Sequence, residues 1–280
     1  MIGSNRATPA LITRHRGGFS EGITWITREE EEASGVGVDF GVHRMAPGEV
    51  LVDAPVEKET AWVLMAGRAE VEVEIDGART AVARASLFDE APSVVHAPAG
   101  ARVRIAAVEA TEWTVARATN AARFAPRVFL PGDIQDELRG KGLAQDTAVR
   151  NVRLAFDMTN RPEAALVVGE VINWPGRWSS YPPHHHSQPE IYHYRFTLPQ
   201  GYGHAEVGDE VFKVKQNDTL RIPGGLDHPQ AAAPGYGMYY LWIVRHLPGD
   251  PYRGFAFTED HRWLLDPAEQ GWRPSGAGGR

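Results

Sequence analysis

The chain has 280 residues, 42% hydrophobic and 23% charged, which suits one large β domain or two ordinary ones, with two favoured. A net charge of −7 excludes nucleic acid as a main partner, because phosphate binding needs a basic face, and leaves room for a local basic pocket that takes one small acid. Cysteine is absent, which excludes disulfides and thiolate chemistry; with no apolar run near the roughly 20 residues of a bilayer span and no apolar signal core in the first residues, the expectation is a cytoplasmic protein with no membrane partner.

Short β-prone runs, punctuated by Gly and Pro, follow one another along the chain. Residues 69–75, AEVEVEI, alternate apolar and acidic side chains, the period of a half-buried strand, and Asp76-Gly77 supplies a hairpin turn. A second strand is expected over 102–108. Residues 131–145 then read as a helix capped by Asp133 and stopped by Gly140. Further strands are expected over 164–172, 190–196 and 237–244. Many short strands with intervening turns predict an all-β barrel or sandwich of jelly-roll type. A weak internal repeat aligns Glu59 with Glu190 and the Pro98–Gly100 turn with Pro223–Gly225. The expected organisation is an N-terminal barrel over 1–125, a connector over 126–150 and a C-terminal barrel over 151–280.

The chemistry-bearing stretch is YPPHHHSQPEIYHYRF, residues 181–196. Pro182 and Pro183 push the chain toward extended geometry. In a strand, His184 and His186 share one face and His185 takes the other. Glu190 follows across a Ser-Gln-Pro turn, and a fourth donor is available at His228, after the Pro223-Gly224-Gly225 turn. Three imidazoles and one carboxylate suit a borderline divalent ion, Zn foremost, with Mn, Fe and Ni as alternatives. His185 and His193 read as neighbours or wall residues rather than ligands, and His96 in the first half reads as incidental.

At these residues the sequence resembles the two cupin motifs: His184-x-His186-x3-Glu190 fits the first and Pro223-x-Gly225-x2-His228 the second, with Asn217 where the motif usually has Gly. The stretches 178–196, 139–145 and 232–244 are similar to the 5-deoxyglucuronate isomerases of inositol catabolism, which are related to the 4-deoxy-5-hexulose-uronate isomerases. The resemblance implies a bicupin, two double-stranded β-helix barrels joined by a short connector. It implies His184, His186, Glu190 and His228 as metal ligands. It also implies the conversion of 5-deoxy-D-glucuronate to 5-dehydro-2-deoxy-D-gluconate. The departures lie beside the site: His185 stands where the family usually has Lys, and His193 where Tyr is usual. In the first half Asp53, Pro55 and Val103 replace the histidines under the repeat alignment, so that half is expected to lack a metal.

An aldose–ketose isomerisation needs a polarised carbonyl, a carrier for the hydrogen and a cation for the carboxylate. Tyr240 and Tyr192 are the acid–base candidates, with His204 and Gln188 behind them, and residues 261–263 are a candidate closure for the barrel mouth. Arg195 is the first candidate for the carboxylate and a candidate in catalysis, followed by Lys213 and Arg221. Arg195 and Glu190 differ in parity, so an unbroken strand points them apart. Two alternatives share the ligand set: an iron dioxygenase, and a non-catalytic cupin that binds a sugar acid. The expected partner is a small sugar acid, and exposed strand edges leave room for a homo-oligomer.

Overall fold

In the computed structural model, which describes residues 10–31, 35–73, 79–269 and 271–275, the alternation of side chains along strands builds three hydrophobic layers from two sheet systems. The first system centres on the Lys58–Val73 strand. Its leading part pairs with Val94–Ala97 and Thr111–Thr119, and its trailing part with Arg79–Arg84 and Val103–Ala107. Trp62 and Leu64 turn inward onto Val95, Ile105 and Trp113, forming the interior of the first half. Ala61, Val63 and Met65 turn the other way.

The second system is a seven-stranded sheet. Its order is Ile12–Arg14, Asp218–Ile222, Glu190–Phe196, Met238–Arg245, Leu166–Asn173, Arg150–Phe156 and Gln135–Arg139. One face carries Val152, Val171, Tyr240, Tyr194 and Leu220, which enclose an interior with Ala205, Val207 and Val214 of a four-stranded sheet. The opposite face carries Phe156, Val168, Ile172, Tyr239 and Leu241, which pack with Phe40, Ala61 and Val63 of the first system. Each large apolar side chain buried in these layers contributes about 1.5–3 kcal/mol. The middle layer also holds an ion pair. Arg84 donates to Glu170 at 2.6 and 2.8 Å, and the Tyr239 hydroxyl donates to the same carboxylate at 2.6 Å.

Several expectations change. The strand expected over 69–75 is present as far as Val73, with Ala69 and Val71 buried; the Asp76-Gly77 turn lies outside the described residues. The helix expected over 131–145 is a single turn at Pro131–Asp133, an edge strand at Gln135–Arg139 and a turn at Ala144–Asp146. Gly140 has φ 80° and its turn packs so closely on Ala148 that a Cβ would sit 2.1 Å from the carbonyl oxygen. That close approach closes a hairpin with Arg150–Phe156. The Ile12–Arg14 strand crosses the boundary expected at residue 125 and pairs with Asp218–Ile222, and Arg16 binds Asp218 at 2.7 Å.

The repeat alignment of Glu59 with Glu190 is out by a face. Glu59 has the parity of Ala61 and Val63 and points into the middle layer, whereas Glu190 points into the second interior; a shift of one residue moves every side chain to the other face. His96 is not incidental there. It is fully buried, stacks on Phe156 at 4.2 Å, lies 3.6 Å from Glu59 and accepts a hydrogen bond from Arg161 at 3.0 Å. Among the described residues no helix is long and apolar enough to cross a membrane.

Replacing Arg84 with Met leaves Glu170 buried without its main counter-charge. The expected loss is about 3–5 kcal/mol in urea unfolding, with much of it recovered in the Arg84→Met/Glu170→Met double variant. A single-variant loss under about 1 kcal/mol would show that the pair does not hold the layer together.

Candidate metal centre and its cleft

Two prolines and a strand pairing set the histidines. His184–His185 pairs with Ala256–Phe257, and the extended backbone turns His184 and His186 inward. His185 points outward and meets Asp227 at 3.0 Å. After the Ser187–Pro189 turn, Glu190 opens the Glu190–Phe196 strand with its side chain buried. The Pro-Gly-Gly turn then lies directly on this loop. A Cβ at Gly224 would sit 1.8 Å from the Ser187 carbonyl oxygen, and Gly225 N–H donates to the His186 carbonyl at 2.7 Å. That contact delivers His228. Asn217 takes φ 66°, the left-handed turn expected for it.

The result is a compact group. The His186 Nε2 lies 2.7 Å from Glu190 Oε1, and His228 Nε2 lies 3.9 Å from Glu190 Oε2. One ligand atom each from His186, Glu190 and His228 falls within 4.8 Å of the others. His184 stands just outside this group: its ring is 4.9 Å from that of His228 and stacks on Phe255 at 4.0 Å.

These residues fit a divalent ion. Glu190 Oε2 and His228 Nε2 are buried without a hydrogen-bond partner, an arrangement that costs free energy unless something binds there. The Nδ1 of His228 faces the Leu226 carbonyl at 2.9 Å, which leaves Nε2 as the inward donor. Burial pushes His228 down, and burial, reinforced by His228, pushes His184 down to about 3. Burial opposes the Glu190 charge, but the His186 hydrogen bond and the facing His228 hold the carboxyl below its usual range. Neutral imidazoles and an ionised carboxylate are the forms that bind metal.

A cleft of about 530 Å³ opens beside the group, lined by His184, Glu190, Tyr192, Tyr240 and Ser180. The rings of Tyr192 and Tyr240 stack at 4.5 Å. The Tyr240 hydroxyl donates to Ser179 Oγ at 2.9 Å, and Ser180 Oγ lies 3.3 Å from the Tyr192 hydroxyl. Ser180 holds φ 50°, an uncommon backbone for a residue with a side chain, and so brings its oxygen between the two phenols. Burial pushes Tyr240 up to about 12 and Tyr192 up as well, so both carry their protons at neutral pH. A second opening of about 460 Å³ reaches His186 from the other side of the segment around Arg253 and Phe255.

Of the sequence candidates, His184, Glu190, Tyr192 and Tyr240 meet in this cleft. Arg195 does not. It projects from the opposite face of its strand, bonds Glu112 at 2.6 Å and His193, and lies over Phe19 in the middle layer. His193 is likewise a wall residue there, bonded to Thr219 at 2.7 Å. Lys213 is exposed on the four-stranded sheet, over the Tyr202 ring, next to His204. Arg221 is held by Thr13 and two backbone carbonyls. Gln188 binds the Asp250 carbonyl at 2.7 Å and so anchors the segment between the two openings. His261, Arg262 and Trp263 are exposed and line neither opening. Ser180, Arg139 and Arg150 line the cleft without having been singled out from the sequence; the helical reading of 131–145 hid the strand pairing that presents the two arginines.

Residues 11–264 match the KduI/IolB family. The chain is 28% identical over 247 residues to a 5-deoxy-glucuronate isomerase of Geobacillus kaustophilus, covering 82% of this chain and 86% of that one. It superposes on an IolB-like protein of Salmonella typhimurium with a TM-score of 0.78 and 25% identity, covering 92% and 100% of the two chains. A cupin 2 conserved barrel domain protein of Leptotrichia buccalis superposes with a TM-score of 0.52 and 13% identity over 82% and 93% of the chains, a likeness of fold.

Glu190→Gln and His228→Ala are each expected to weaken retention of a divalent ion by more than about 100-fold with the fold intact, read by metal analysis after dialysis and by circular dichroism. Metal content equal to wild type in either variant would remove the group as a metal centre.

Proposed function

Because the chain belongs to the KduI/IolB family, we propose that it is a metal-dependent aldose–ketose isomerase that converts 5-deoxy-D-glucuronate to 5-dehydro-2-deoxy-D-gluconate. The observation that carries this reading is that the group of His186, Glu190 and His228 reaches, through Glu190, the cleft lined by two protonated tyrosines. The reaction is redox-neutral. The hydrogen on carbon 2 moves to carbon 1, and the hydroxyl proton on oxygen 2 is exchanged for one on oxygen 1.

A bound divalent ion, Zn first in this reading, supplies Lewis-acid polarisation of the carbonyl. His186, Glu190 and His228 hold it, and we assign His184 as the fourth ligand, supported by its position beside His228 and its depressed basicity. The Tyr192 and Tyr240 hydroxyls are the groups that hydrogen-bond the oxygens of the reacting carbons and pass protons between them. Ser180 ties the two phenols together, so that a proton given by one is replaced through the other. Val152, Val171 and Trp242 give the cleft an apolar wall. The same reading carries the role in inositol catabolism and the cytoplasmic setting.

The test is proton NMR of 5-deoxy-D-glucuronate with the metal-loaded chain, beside an oxygen electrode. Turnover without oxygen uptake is expected. Oxygen consumption with Fe(II) would favour a dioxygenase instead, and ligand-induced stabilisation without turnover a binding protein. Tyr240→Phe is expected to lower kcat by about 100-fold, in the range of general acid–base catalysis, with little change in metal content.

A further inference from the structure

The sequence candidates for the substrate carboxylate, Arg195, Lys213 and Arg221, are all turned away from the cleft or spent elsewhere. A sugar acid still needs a cation at the end of its chain remote from the reacting carbons. The seven-stranded sheet offers one. Arg150, Val152 and Leu154 alternate onto the cleft face of their strand, and in the register Val152 stands opposite Val171, which stands opposite Tyr240. Arg150 is level with Asn173, while Glu190 is level with Val244, so the two lie toward opposite ends of one concave surface. Both line the same cavity.

The surroundings of Arg150 are unusual. Directly opposite it on the neighbouring strand is Arg139, and like charges facing each other across an antiparallel pair destabilise it. Arg139 is neutralised by Glu137 at 2.7 Å. Arg150 has no such partner: among the described residues its guanidinium makes one hydrogen bond, to the Ala148 carbonyl at 2.8 Å, and no ion pair. The buried arginines are all engaged: Arg84, Arg153 and Arg195 each hold a carboxylate, and Arg221 is held by Thr13 and two backbone carbonyls. Asp157, which lines the same cleft, is engaged by the backbone and hydroxyl of Thr159. Burial is what weighs most on the Arg150 charge, and the facing groups it feels are Tyr240, Arg139 and Tyr192. It therefore looks onto the two phenols of the reaction site with its fork of donors largely unspent.

Resting on the sugar-acid reading above, we propose that Arg150 receives the carboxylate of the substrate, with Arg139 closing a clamp of two guanidinium groups at the end of the cleft away from His186, Glu190 and His228. The planar fork of Arg150 matches a carboxylate in two parallel hydrogen bonds. The bound anion separates the two opposed cations. Selection for an acid over a neutral sugar of the same shape then comes from this one position.

The test compares D-glucuronate with D-glucuronamide, its neutral counterpart, by calorimetric titration into the metal-loaded full chain. Wild type is expected to prefer the acid. Arg150→Met is expected to weaken acid binding by about 10- to 100-fold and leave the amide unchanged, so that the preference collapses. Arg150→Lys, which keeps the charge and loses the fork, is expected to fall between them, and Arg139→Gln to lose about 3-fold. The melting temperature of ligand-free Arg150→Met should not drop, because Arg150 holds no carboxylate and gives up a single hydrogen bond. An unchanged acid-to-amide ratio, no preference in wild type, or a variant that melts lower and loses both ligands alike would each overturn the assignment. Turnover of 5-deoxy-D-glucuronate by wild type is scored separately: its absence removes the isomerase reading, while the ratio still decides Arg150.

Discussion

The central strands of the seven-stranded sheet have to satisfy two different neighbours at once. One face closes the interior that carries the site; the other is packed against the first half of the chain. Strict alternation of side chains makes this possible, and it divides the labour within single strands. In Glu190–Phe196, Glu190, Tyr192 and Tyr194 go to the site, while Ile191, His193 and Arg195 go to the shared layer. In Arg150–Phe156, Arg150 and Val152 serve the cleft and Arg153 and Phe156 serve the layer, with a register shift before Phe156. The first half, whatever else it does, backs the sheet that carries the donors.

The electrostatics follow the same partition. In the shared layer three buried arginines are matched: Arg84 and Arg153 converge on Glu170, and Arg195 meets Glu112, while Glu59 Oε1 and His96 Nε2 stay without a hydrogen-bond partner. A buried pair of this kind adds little net stability over an apolar replacement, but it penalises any arrangement that separates the partners. In the second interior the charges are left open. Glu190 and His228 keep unpartnered atoms, and Arg150 keeps most of its donors.

Much of this was legible in the sequence, and the failures have physical causes. Alternating or continuous apolar runs such as 190–196 and 237–244 became strands because nothing else buries such side chains on both faces. The spacing of His186, Glu190 and His228 brought three donors together because two turns, one of them needing Gly224, fold onto each other, while His184 stands just outside the group. Residues 131–145 misled because Asp133 and Gly140, which read as a helix cap and stop, serve the turns on either side of a polar edge strand. The parity of Arg195 warned against it, and the strand obeyed. Glu59 misled because identity was aligned without regard to face. Arg150 was invisible because its significance lies in an opposed arginine that only the pairing reveals.

The Ile12–Arg14 strand occupies the edge of a sheet whose neighbouring strand is made far later. Ile12 faces Leu220, so at about 5–20 residues per second of synthesis the early strand waits roughly 10–40 s for its place to exist. Over that interval the segment is held by nothing in the second half, and the late sheet edge stays open until the strand returns to it. Closure therefore joins an early segment to a late one, and the ion pair of Arg16 with Asp218 draws it shut.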